Sequence, residues 1–479
     1  MSTTLRIITP RFETRKTLKN TIMDIFPMIS FDRIECLLND LDNDISFLVE
    51  HPYIDKHYRD SFYFYYSSKF SNYSRFVARV HIFKGSIQNY TEMISNPKKY
   101  AGYFIIRPLE LHPLGRSMIS PNIIKQKGFF TCLTKEKVHI FDLSFDVESF
   151  PHVAQDKETH TCAESAIWSI LSYFGCKYDF YKTQLTSDII GRLNTVASHK
   201  LLPSKGLTVE ETATCLNSSG QNCMIYSRTK AYRFDFASTL QIYIESGMPV
   251  LAALGNGKEG HAVIITGHGK FDFKDITNSF LKPSDVWKDI SFYPKKLVLI
   301  DDNKTPFDVV SPNSPAEHYS KFNDMKLKAI IVPFHKHMFM DAENARELMT
   351  QILNDKDNGL HNFGKKWITR LFLTPGTSFK KSLHNDRLLA ESIKNLFMYT
   401  LFPKFIWICE IYRLEDYEKQ ICSGILILDS TGDVSLKSIL YYIVDNKRII
   451  QNDSNSWDTR RTMVTTFQKE PYKNNLKEV

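Results

Sequence analysis

Gln155-Asp156-Lys157-Glu158-Thr159-His160-Thr161-Cys162-Ala163-Glu164-Ser165-Ala166-Ile167-Trp168, running on to Gly175, is the stretch whose reading decides the rest. Thr161 followed three residues later by Glu164 is a capping box, which starts a helix with Thr161 as N-cap. Ala163, Ala166, Ile167, Ile170, Leu171 and Phe174 then recur at helical spacing and make one apolar, buried face. Gly175 is read as the stop. Cys162 becomes the first helical residue, at the positive end of the helix dipole beside unpaired backbone N–H groups. That placement suits a sulfur nucleophile, although Glu164 on the same turn works slightly against a thiolate and a base partner is needed.

The flanking chain sets the frame. A length of 479 residues exceeds one ordinary core and predicts roughly three domains. With 43% hydrophobic and 24% charged residues, the composition is globular. A formal charge of +8 over this length is mild, and no basic run or RNA-binding aromatic signature accompanies it, so no nucleic-acid partner is expected. The eight cysteines contain no CxxC pair, which fits reduced thiols in a cytoplasmic protein with no metal and no cofactor. Residues 1–19 lack an apolar signal segment and no run approaches the length of a membrane span, so no membrane association is expected.

Residues 1–147 read as helices (31–48, and an aromatic one at 53–70) followed by strands at 75–83 and 100–109 and a hairpin of 129–133 with 138–143. After the Cys162 helix come a helix at 206–216, a buried strand near 250–254, a strand at 260–267 with His261 near its start, and a strand from 297 that runs into Asp301, Asp302 and Asn303. A second α+β unit is predicted at 313–450, with strands at 327–334, 367–373, 405–412 and 422–428, a helix at 342–353 and a long one at 379–399. The polar stretch 451–479 is read as a loose tail.

Thiol acyl-transfer chemistry needs a thiolate, a base and a group that orients the base. In chain order the sequence offers Cys162, His261 and Asp302 or Asp301, with Gln155 just upstream as an oxyanion donor beside the Cys162 N–H. Each alone has a blander reading: a cysteine at a helix start is usually a small buried residue, and an aspartate ending a strand is an ordinary turn residue. His268 is a rival base, on the opposite strand parity from His261. Their order around one helix raises the odds.

Gln155, then Cys162-Ala163-Glu164-Ser165-Ala166 and Tyr173-Phe174-Gly175, resemble the nucleophile helix of papain-like cysteine peptidases, closest to the double-glycine leader (bacteriocin-processing) peptidases. The likeness continues through Gly206-Leu207-Thr208, Gly247-Met248-Pro249-Val250, Gly260-His261-Ala262-Val263 and Leu299-Ile300-Asp301-Asp302-Asn303, about residues 148–310. It implies an α+β papain-like core at 148–312, its nucleophile helix packed on an antiparallel sheet and flanked by N- and C-terminal α+β units. It also implies a Cys162–His261–Asp302 triad hydrolysing a peptide or isopeptide bond in a protein substrate. Aligning on the family's aspartate-proline favours Asp302 over Asp301, with Asn303 where the proline would stand. The family's glutamine sits one residue nearer the cysteine than Gln155 does, and its glycine after the cysteine is Ala163 here. The expectation is a free-standing cytoplasmic enzyme, bacterial by its Lys-, Asn-, Ile- and Tyr-rich usage, whose flanking units select substrate or hold a regulatory protein partner. The alternatives are deamidation or transfer on the same site, or an inactive protein-binding module.

Overall fold

The computed structural model describes residues 11–479 apart from 198, 200, 205, 230–234, 272, 281, 283–284, 294, 452–456 and 463–465. The chain is α+β, and antiparallel pairing dominates its three large sheets.

The helix Cys162–Lys177 starts where the capping box puts it, with Thr161 as N-cap. It does not stop at Gly175, which lies in its last turns; a Cβ there would meet the Thr183 backbone nitrogen at 2.7 Å, so close packing and not termination explains that glycine. The helix lies on a sheet ordered Gln221–Ser227, Lys326–His335, Val250–Gly255, Gly260–Gly269, Leu297–Ile300, Asp308–Val310. These strands read as continuous apolar runs because both faces are covered. Leu251, Ile264, Val298, Ile300 and Ile331 face the helix residues Ala166, Ile167, Ile170 and Leu171, in a core shared with the N-terminal sheet. Val263, Ile265, Leu299 and Ile330 join Leu371, Trp407 and Leu426 of the C-terminal sheet in another.

The expected boundaries therefore do not separate independent bodies. Lys326–His335, assigned from sequence to the C-terminal unit, pairs between Gln221–Ser227 and Val250–Gly255, so the boundary at 312 falls too early. Trp287–Asp289 leaves the middle stretch to pair in parallel with Trp367–Pro375. Phe129–Cys132 joins the far end of Gly260–Gly269, while Thr134–Ile140 forms its hairpin with Leu143–Ser149 instead. Within the N-terminal unit, the helix expected over 31–48 is Asp32–Asp40 followed by the strand Ile45–Tyr53, and the aromatic stretch holds the helix Lys56–Phe64. The basic N-terminal stretch contains an unforeseen helix, Arg15–Ile25. The long helix expected at 379–399 is broken: Asp386 accepts the N–H groups of Leu388 and Leu389, separating Gly376–Asn385 from Glu391–Tyr399.

The tail is also corrected. Phe467 is fully buried, and Leu476–Glu478 pairs with Phe129–Cys132. A polar composition hid a segment that is anchored at a few apolar points. Phe467→Ala is expected to destabilise the protein by about 3–5 kcal/mol, read as a lowered denaturant midpoint; a change under about 1 kcal/mol would mean that the tail is an appendage.

Candidate active site

The loop entering the Cys162 helix is wound around one buried carboxylate. One oxygen of Asp156 accepts the N–H groups of Glu158, Thr159 and His160 at 2.9, 2.8 and 2.8 Å. The other accepts the hydroxyls of Thr159 at 2.6 Å and Tyr66 at 2.9 Å, with Arg107 3.7 Å away. Burial opposes ionisation, but His160, Arg107 and Thr159 outweigh it and hold this carboxyl far below its usual range. Tyr66 and Arg107 belong to the N-terminal unit, which thus fixes where the helix begins. Glu164 is engaged by the Thr161 N–H at 3.2 Å and by the hydroxyls of Thr161 and Ser204, both at 2.5 Å.

The thiol of Cys162 is partly exposed and close enough to the His261 imidazole to favour its charged form. His261 Nε2 is 3.0 Å from Asp301 Oδ1 and 3.1 Å from the Tyr319 hydroxyl, which leaves Nδ1 for the thiol. Burial disfavours the imidazolium, yet the Asp301 charge and hydrogen bond, together with Cys162, prevail and hold the His261 pKa well above its ordinary value. Asp301 is 1% exposed; it also accepts the Asn303 N–H at 2.9 Å and the Tyr319 O–H. Against the penalty of burial, His261, Tyr319 and Asn303 keep its carboxyl below the usual range.

The expectation that Asp302 orients the histidine is overturned, since its nearest oxygen is 4.0 Å from Nε2. The reason is register. Ile264 lies opposite Ile300 and Ile265 opposite Leu299, so alternation puts Asp301 on the side of His261 and Asp302 on the side of Ala262. Asp302 lines a small cleft with Cys162, Ser165, Ser169 and Ala262. Burial, then the adjacent Asp301 charge, push its carboxyl up to about 8, so it is neutral where Asp301 is charged.

Gln155 reaches the same cluster by another route. Its amide nitrogen donates to Asn303 Oδ1, which also accepts Arg33 at 2.8 Å, while Asn303 Nδ2 donates to Asp302 at 3.0 Å. One of its two N–H groups is thus used by Asn303, and the other remains as a donor for an oxyanion. His268 is excluded as the base: at the far end of the strand, it sits 3.1 Å from Glu245 and is bonded to the Gly269 carbonyl at 2.7 Å. Tyr319 was not singled out from sequence. It follows Pro315 in a loop that passes over the site only because the next strand, Lys326–His335, returns to the central sheet.

His261, Asp301 and Asp302 place donor atoms within 4.8 Å of one another, which is the spacing of a metal site. Asp301 Oδ1 already accepts His261 and Asn303, and Oδ2 accepts Tyr319, so a cation would compete with these donors. The donor set fits an orienting carboxylate better than a metal ligand. Compared with protein-family models and with curated proteins, the chain matches none.

Asp301→Asn is expected to slow alkylation of Cys162 near neutral pH by ~10–10²-fold and to move its pH profile toward that of an ordinary thiol, because the imidazolium loses its counter-charge. Tyr319→Phe should slow it by roughly tenfold, the loss of one hydrogen bond to a charged group. Asp302→Asn should leave it within about threefold. A crippling Asp302→Asn beside a silent Asp301→Asn would return the orienting role to Asp302.

Proposed function

We propose that the chain is a cysteine peptidase of papain-like arrangement, cleaving a peptide or isopeptide bond in a polypeptide. The observation that supports it is a convergence: a thiol at a helix N-terminus, a neighbouring imidazole whose charged form that thiol favours, and a buried, ionised Asp301 on the ring's Nε2. In this reading His261 Nδ1 takes the Cys162 proton, and the thiolate attacks the substrate carbonyl. The Cys162 backbone N–H, at the positive helix end, stabilises the oxyanion, with the second N–H of the Gln155 amide as the other donor. His261 returns its proton to the departing amine, leaving a thioester. Water, deprotonated by the same imidazole, then hydrolyses the thioester and frees the thiol. Asp301 holds the ring by its Nε2 edge and stabilises the imidazolium, without taking the proton.

Iodoacetamide labelling tests the thiol chemistry. Cys162 is expected to react on the order of 10–10² times faster near neutral pH than the exposed Cys36 and Cys176, and His261→Ala should remove that advantage. Equal labelling of all three, unchanged by His261→Ala, would overturn the reading and favour a binding module. Capture of polypeptides by Cys162→Ala, followed by analysis of what the wild type makes of them, distinguishes hydrolysis from deamidation or transfer.

A further inference from the structure

Beside the triad lies a cavity of about 320 Å³, between the helix Asp32–Asp40 and the turn that follows Asp302. Its inner wall is apolar, formed by Leu37, Phe104, Leu114 and Ala154. Its mouth opens beside the exposed Cys36 and Lys304. Two cations border it: Lys304, and the half-buried Arg33, one of whose N–H groups is used by Asn303 at 2.8 Å. The carboxylate at the mouth, Asp40, is engaged by the Thr305 hydroxyl at 2.5 Å. The floor is Asp302, whose Oδ2 is buried without a hydrogen-bond partner. Asp302 and His152 also wall the cleft beneath Cys162, so the two spaces share a partition. An apolar chamber bordered by two cations against the single carboxylate Asp40 suits an apolar body that ends in an anion. A cavity of ~150 Å³ admits benzene, so this one takes on the order of a dozen heavy atoms.

We propose that this cavity binds an apolar carboxylic acid, its carboxylate at Arg33 and Lys304, and that occupancy is felt at the thiol through Asp302 and Asn303. The binding half stands on the cavity alone; the coupling half rests on the reading of Cys162 as nucleophile. The walls that grip the ligand come largely from the N-terminal unit, which gives that unit a task besides anchoring the nucleophile loop. The carboxylate can belong to a free acid or to the C-terminus of a polypeptide, and the chemistry of recognition is the same.

Cys36 in the cavity wall is a built-in reporter. In the full chain, 4-phenylbutyrate is expected to slow iodoacetamide modification of Cys36 by at least about fivefold at saturation, while its amide does not. Arg33→Gln, a half-exposed position, should raise the concentration needed by about tenfold, one charged contact. Leu37→Trp, which fills the chamber, should abolish protection. Protection by Gly-Gly-Phe at lower concentration than by 4-phenylbutyrate assigns the carboxylate to a polypeptide end; the reverse order assigns it to a free acid. No protection, or equal protection by acid and amide that survives Arg33→Gln, overturns the proposal even if Leu37→Trp fails to fold. Cys162 labelling in the same samples keeps the two readings apart. Protection of Cys36 with an unreactive Cys162 leaves the cavity standing and removes the peptidase. A reactive Cys162 with unprotected Cys36 does the reverse.

Discussion

A carboxylate that stays charged while 1% exposed is the constraint on which the site depends. Asp301 can be ionised there because three groups converge on its carboxylate: the His261 ring, the Asn303 N–H and the Tyr319 hydroxyl. Once it is charged, its neighbour ionises only at much higher pH, about 8. Two carboxyls on consecutive residues, both buried, hold one negative charge between them, and hydrogen bonding decides which keeps it. Asp301 has the donors; Asp302 has one, Asn303, and an oxygen left over. The imidazole is thereby given a counter-ion on one edge and remains free to exchange a proton on the other.

The same logic fixes the nucleophile end. Asp156 holds the entry loop by backbone donors and the Thr159 hydroxyl, yet two further partners, Tyr66 and Arg107, come from far away in sequence. The N-terminal sheet and the central sheet also share one hydrophobic core, and the central and C-terminal sheets share another. An active site assembled from a helix end, two strand ends and a loop tolerates little slack, and covering both faces of the central sheet removes it. The second covering layer contributes its own buried charges. Glu245 meets Lys295, Arg370 at 2.8 Å and His268 at 3.1 Å, which is why the second histidine of the strand is a structural one.

What could be read from the sequence was local. The capping box located the Cys162 helix, and apolar runs located the strands carrying His261 and leading to Asp301, because each signal lies within about ten residues. What failed was pairing. The order of strands cannot be read from their hydrophobicity, so Lys326–His335 was given to the wrong unit and Tyr319 went unseen with it. Alternation along one strand told Asp301 from Asp302 only by face; choosing the face needs the register against Gly260–Gly269. Likeness to a family chose wrongly by one residue, and a one-residue slip exchanges every side chain between faces. The tail was misjudged for a related reason: Phe467 and the short strand Leu476–Glu478 are too few apolar points to show in composition.

That register is itself protected from a distance. The pairing of Gly260–Gly269 with Leu297–Ile300 shifts between Ile265 and Gly267, so an irregularity separates the His261 end of the strand from its other end. At the irregularity, a Cβ on Gly267 would lie 1.8 Å from the Phe130 carbonyl oxygen, a distance no side chain can accept. Glycine there admits Phe129–Cys132 against the strand, and Phe129–Cys132 in turn receives Leu476–Glu478. The bulge absorbs whatever mismatch these two added strands impose, and His261 stays opposite the residues that bring Asp301 beside it. A glycine six positions along the strand from His261, with no polar group of its own to offer, thus guards the choice between two adjacent carboxyls.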